Sequence, residues 1–153
     1  MKLDSKGQVS AEYLFLILIF LIILSTVTVP MAANSITASQ QVSVTSDSET
    51  AVSTIANAVN LVYANGPSSE RTVNVYIPQS TTLTYDNINN QLDLNLTGVS
   101  YTNGTQKATV NASVPTNIPI TINGNGSISN ANTKWHTFTI TWPVGSTITI
   151  NIN

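Results

Sequence analysis

Between Val9 and Ala33 the chain carries one charged side chain, Glu12, and from Tyr13 to Leu24 it is apolar without interruption. As a helix, residues 9–33 reach about 37 Å, enough for the ~30 Å apolar layer of a membrane. The alternative, a core helix of a soluble domain, needs surrounding protein that a chain of 153 residues does not have. Ser25, Thr26 and Thr28 interrupt the apolar pattern but can return their hydroxyls to helix carbonyls, which keeps them tolerable in lipid. Lys2 and Lys6 precede the span and favour a cytoplasmic N-terminus with an exported remainder.

Glu12 is the residue that needs explaining. An unpaired carboxylate in lipid or a dry core is expensive, so it calls for a partner. Gly7 suggests the source: a cut between Gly7 and Gln8 creates an α-amine four residues before Glu12, one helical turn away. A cation and an anion at that spacing can meet within one chain or between neighbours.

Lys6-Gly7 followed by Gln8, Ser10, Glu12 and Leu16 resembles the class III signal peptide of archaeal type IV pilins. The resemblance covers roughly the first thirty residues. It implies a prepilin-peptidase substrate, cut on the cytoplasmic side between Gly7 and Gln8, whose helix leaves the membrane to pack into a surface filament. Glu12, Leu14, Leu16 and Phe20 are then the assembly contacts. The partners implied are copies of the same chain, the prepilin peptidase, the pilus assembly machinery and, before assembly, the membrane. The precursor belongs in the cell membrane and the mature subunit in an extracellular filament. An ordinary secretory signal is the rival, with Lys2 and Lys6 as its basic region and Pro30-Met31-Ala32-Ala33 as its cleavage region. Cutting after Ala33 or Ala32 puts Met31 or Pro30 where a small residue is wanted, and Glu12 stays unexplained.

Beyond Pro30, which predicts a kink or a locally unwound stretch, the sequence turns amphipathic. Val52, Ile55, Val59 and Val62 recur at helical spacing. Asn34 to Glu49 is rich in Ser, Thr and Gln, and 34–48 is expected to be the weakest part of a broken or curved helix. Gly66-Pro67 ends it. The period then changes to two, with Val73, Val75 and Ile77, Leu83 and Tyr85, and Leu92, Leu94 and Leu96. Asn103-Gly104 predicts a hairpin between 99–101 and 108–114, and 123–126 a further reversal. The last two runs are Trp135–Trp142 and 148–152. The division expected is a leader, 1–7, then a helix, 8–66, with 8–33 in the membrane or filament core and 34–66 packing on the head. An all-β head, 67–153, completes the chain. The fold class is α+β, with an antiparallel β-sandwich or open barrel of seven or eight strands behind the helix.

Only 8% of residues are charged, against roughly 25% in ordinary soluble domains, and the net charge is −2. No basic surface argues for nucleic acid. There is no cysteine, hence no thiolate chemistry. His136 stands alone in a strand-like run, and one histidine builds neither a zinc site nor a triad. Asp86-Asn87 and Asn89-Asn90 lack the spaced carboxylates of a calcium loop and read as a solvated turn. No enzyme activity, cofactor or metal is expected. Four acceptor sequons for N-glycosylation, at Asn95, Asn103, Asn111 and Asn125, all fall in the head. The functional expectation is a structural filament subunit serving surface adhesion. The alternatives are a minor pilin, a single-pass anchored adhesin whose head contacts a surface or glycan, or a secreted β-domain. Exposure of Trp135 or Trp142 favours surface or sugar contact; burial of both favours a packed core.

Overall fold

The computed structural model of the chain describes residues 5–96, 108–115 and 119–153, with backbone alone for 5–10 and 108. Helix α1 (Ser5–Asn65) is followed by β1 (Ser69–Tyr76), β2 (Thr81–Asp86), β3 (Gln91–Leu96), β4 (Ala108–Ser113), β5 (Ile120–Ile122), β6 (Ser127–Ile128), β7 (Trp135–Trp142) and β8 (Ile148–Ile152). The fold is therefore α+β. The chain divides into two compact units, 1–40 and 41–153.

In the first unit every residue from Ala11 to Gln40 is exposed, the apolar ones included. A helix that is apolar all round belongs in lipid or inside a bundle. Its few hydroxyls are satisfied locally: Thr26 Oγ1 donates to the Ile22 and Ile23 carbonyls, Ser35 Oγ to Met31 O and Thr37 Oγ1 to Ala33 O, at 2.9–3.0 Å. Helix α1 continues through Pro30 and through 34–48, so of the expected alternatives the unwound stretch and the break are not found. Proline removes only one helical bond, the one to the Thr26 carbonyl, and the Ser35, Thr37, Thr45 and Ser48 hydroxyls of the 34–48 stretch are satisfied on helix carbonyls one turn back.

The second unit takes its core from both the end of α1 and the strands. Ala51, Val52, Ile55, Ala56, Ala58, Val59 and Val62 are buried, the stripe that helical spacing predicts. Ser48 is also fully buried, and its hydroxyl donates to Val44 O at 2.7 Å. Gly66 ends the helix in the left-handed region (φ 85°), where glycine has no Cβ penalty, and its N–H bonds the Val62 and Tyr63 carbonyls. Ser69 Oγ donates to Val62 O at 2.8 Å, tying the cap to β1.

Two four-stranded sheets follow, ordered β1-β7-β8-β5 and β4-β3-β2-β6. Alternation places Leu92, Leu94 and Leu96 of β3 and His136, Phe138 and Ile140 of β7 inside, with Thr137, Thr139 and Thr141 on the other face. These side chains share one core with the buried stripe of α1. Each fully buried Leu, Ile or Phe contributes about 1.5–3 kcal/mol. Tyr63 and Trp142 stack with centroids 5.8 Å apart and planes within 5°, joining the last turn of α1 to the end of β7.

Two features depart from the expected antiparallel hairpins. β5 pairs with β8 in parallel, because the chain passes to the other sheet as β6 and returns as β7 before β8 is laid beside β5. The partner of β4 is β3, in register from Gln91↔Ser113 to Leu96↔Ala108, so the arms of that hairpin are 91–96 and 108–113. The Asn103-Gly104 turn and the run 99–101 lie outside the described residues.

The reversal at 123–126 is a tight turn with positive φ at Gly124, Asn125 and Gly126, and it hands the chain from one sheet to the other. Gly126 at its end is buried with φ 65°, and a Cβ there would fall on the Leu83 carbonyl oxygen. Gly126→Ala is therefore expected to destabilise the head by about 2 kcal/mol or more, combining left-handed strain with the backbone clash. Gly124→Ala meets only the strain, since nothing lies within 4 Å of its Cβ position. Paired thermal melts should show the larger loss at 126.

Candidate processing and assembly site

The residues of the predicted motif occupy the first turns of α1. Lys6, Gly7, Gln8 and Ser10 lie on helical backbone. At 100° per residue, Gln8, Glu12, Leu16 and Phe20 follow one gently drifting stripe, whereas Leu14 is turned about 200° from Glu12. The helix thus brings three of the four predicted assembly residues onto one side, and Leu14 onto another. Glu12, Leu16 and Phe20 are exposed, and among the described residues Glu12 makes no ion pair. Ala11, Leu14, Phe15 and Leu18 form an apolar notch, the small Ala11 leaving room between larger neighbours. The result is a carboxylate at the start of an apolar surface that presents knobs and a hole on different sides. Chemically it can bury against lipid or like helices, and it can hold one cation.

The head sequons have different surroundings. Asn111 is exposed on edge strand β4, and Asn125 is exposed in the 123–126 turn with φ 56°. Asn95 is half-buried on β3, and its amide oxygen accepts from Thr109 Oγ1 at 3.2 Å. Asn103 lies outside the described residues.

Polar groups that could suggest chemistry serve the fold. His136 is buried, with Nε2 2.9 Å from Asn130 Oδ1. Asn130 also donates from Nδ2 to Ile77 O at 2.7 Å, and its backbone N–H bonds Ser80 Oγ. One amide therefore clamps β7 to the β1–β2 connection, a role that no sequence signal announces. The Asp86 carboxylate accepts from Asn89 Nδ2 and from the backbone N–H groups of Ile88 and Asn89, at 2.7–3.2 Å. Those bonds, the Asn89 side chain first, hold its pKa below the usual carboxylate value and organise the β2–β3 turn. Among the described residues no group of His, Asp and Glu is placed to hold a metal ion. The two tryptophans differ: Trp142 is half-buried and donates from Nε1 to Ser146 O at 3.1 Å, whereas Trp135 is 62% exposed.

Compared with known protein families, residues 5–31 match the class III signal peptide. No curated protein and no solved structure matches the chain. The matched segment includes Lys6, Gly7, Gln8, Ser10, Glu12 and Leu16 and extends through the apolar run to Met31.

Proposed function

From the class III signal peptide at residues 5–31, a hallmark of archaeal type IV pilins and prepilin-like proteins, we propose that this protein is a subunit of an archaeal type IV pilus-like surface filament. The observation that carries the reading is this signal on a helix apolar on every side and broken by one acid, Glu12. Prepilin peptidase removes the leader between Gly7 and Gln8 and leaves a mature helix that begins one turn before Glu12. The precursor waits in the membrane, since the helix is long and apolar enough to cross it. The assembly machinery then moves it into a filament, where neighbouring helices replace lipid.

Transfer from lipid to a bundle brings little hydrophobic gain, because both surroundings are apolar. Close packing and the new charge pair must supply the preference. Glu12 pairs with the Gln8 amine and sets the register, while Leu16 and Phe20 on its stripe and Leu14 on another side contact different neighbours. Pro30 leaves the Thr26 carbonyl without its helical donor and gives the stem a place to bend. Glycans on Asn111 and Asn125, the sequons with exposed side chains among the described residues, would coat the head.

Peptide mass mapping of protein from native cells tests the cut. The mature chain is expected to begin at Gln8 or its cyclised form, with hexose-bearing peptides around Asn111 and Asn125. An intact Lys6-Gly7-Gln8 junction in the surface form, or a mature start near Asn34, overturns the reading. A second reading, a minor subunit or anchored adhesin, draws on the exposed indole of Trp135. Labelling by electron microscopy separates the two: a major subunit decorates filaments along their whole length.

A further inference from the structure

One concave place in the head brings together polar and aromatic side chains whose hydrogen-bonding capacity the fold does not exhaust. Asp47, Thr50 and Thr54 of α1 face Asn74 and Tyr76 of β1 and Trp135 of β7 across a groove of about 260 Å³. Tyr76 and Trp135 are cross-strand partners and meet edge to face, 5.5 Å apart at 63°. The contact fixes the indole plane, yet most of the ring stays in water. Ordering such a pair costs little further entropy on binding, since each ring has only two rotatable bonds and both are already held.

The polar rim has spare capacity. Among the described residues the Asp47 carboxylate, the Tyr76 hydroxyl and the indole N–H make no hydrogen bond. Asn74 accepts from Thr137 Oγ1 at 2.8 Å through its oxygen, which leaves its NH2 group to donate outward. Thr50 and Thr54 donate to Ser46 O and Thr50 O and keep lone pairs for accepting.

From this arrangement we infer that the groove is a binding site for a neutral hexopyranoside, the ring lying on Trp135. A pyranose with equatorial hydroxyls presents flat C–H faces to an aromatic ring and, around its edge, groups that both donate and accept. The rim supplies both kinds of partner. Asp47 repels phosphates and uronates. An ammonium ligand would satisfy Asp47 but offers no acceptor to the Asn74, Tyr76 and Trp135 donors. The volume, just under the roughly 300 Å³ at which larger ligand sites begin, suits a single ring with its neighbours in solvent.

The inference deepens the surface-contact half of the proposed function, and its test is independent of filament formation. Mature full-length protein in a zwitterionic detergent without a sugar headgroup is titrated with cellotetraose. The Trp142→Phe background makes Trp135 the sole indole. A saturable fluorescence change is expected, with half-saturation in the millimolar range. By calorimetry in the parent chain, Trp135→Ala should weaken binding roughly tenfold or more, and Asp47→Ala severalfold. Filament yield should be unchanged in both. The site is refuted by no saturable response, by equal binding in Trp135→Ala, or by preference for glucuronate or tetramethylammonium. Loss of filaments in Trp135→Ala without any sugar response would assign the groove to subunit packing and also refute it.

Discussion

Glu12→Gln is expected to be cleaved at the same bond as the parent and then to fail in assembly, with filament yield at least about tenfold lower. On the proposed reading, loss of the leader brings the α-amine of Gln8 into an apolar helix bundle as a cation. Glu12, one turn on, is the only acid between Val9 and Ala33 that can meet it. Removing one partner of a buried pair costs about 3–5 kcal/mol, because the other charge is left without compensation. At 1.4 kcal/mol per factor of ten, that exceeds a hundredfold in one association step, so a tenfold loss of filaments is a conservative expectation. Immunoblots of membrane and sheared-filament fractions separate cleavage from assembly. Normal yield would contradict the register role while leaving the signal-peptide reading intact. Complete cyclisation of Gln8 in the parent, visible by mass, would remove the cation and predict a nearly silent substitution instead.

The second large effect belongs to the head. Phe138→Ala should destabilise it by about 3–5 kcal/mol, the cost of removing a large ring from a close-packed core. Phe138 is fully buried on β7, the strand that pairs β1 on one side and β8 on the other, with Val73 and Ile152 as its register partners. Domains of this size are stable by only about 5–15 kcal/mol, so the loss is a large share of the total. A fall in Tm of roughly 15–30 °C follows, read from the tryptophan signal of the mature protein in detergent. Ile88→Ala is the control. Ile88 is 84% exposed in the β2–β3 turn, and its truncation should change stability by no more than about 0.5 kcal/mol. Equal melting of the two variants would contradict the placement of β7 at the centre of the core.

The sequence showed most where one physical rule governs many residues. Alternation at 92–96 and 136–140 marked inward faces because a half-buried strand must alternate. Spacings of three and four from Val52 to Val62 marked the buried stripe of α1 for the corresponding helical reason. Gly66-Pro67 fixed the helix end through backbone geometry alone. The processing motif was readable because its chemistry sits at fixed spacing on a single helix. What escaped was set by contacts between distant segments. The parallel pairing of β5 with β8 depends on the order in which the chain visits two sheets. Asn130 gains its importance from Ile77, Ser80 and His136, none of which predicts it. The groove beside Trp135 needs Asp47 from the helix and Asn74 from β1, residues that no local pattern connects. At 34–48 the weak helix propensity was legible, but the continuity of the helix and the bonds from Thr37, Thr45 and Ser48 hydroxyls to carbonyls one turn back were not.

The shared core of α1 and the sheets has a mechanical side. A pull on the head entering along the helix at residue 41 is carried by side chains interlocked over several turns, from Ser48 to the Tyr63–Trp142 stack. Such a joint is loaded in shear along its length, so many contacts must yield together before it slips. A tether of that kind fails late and all at once.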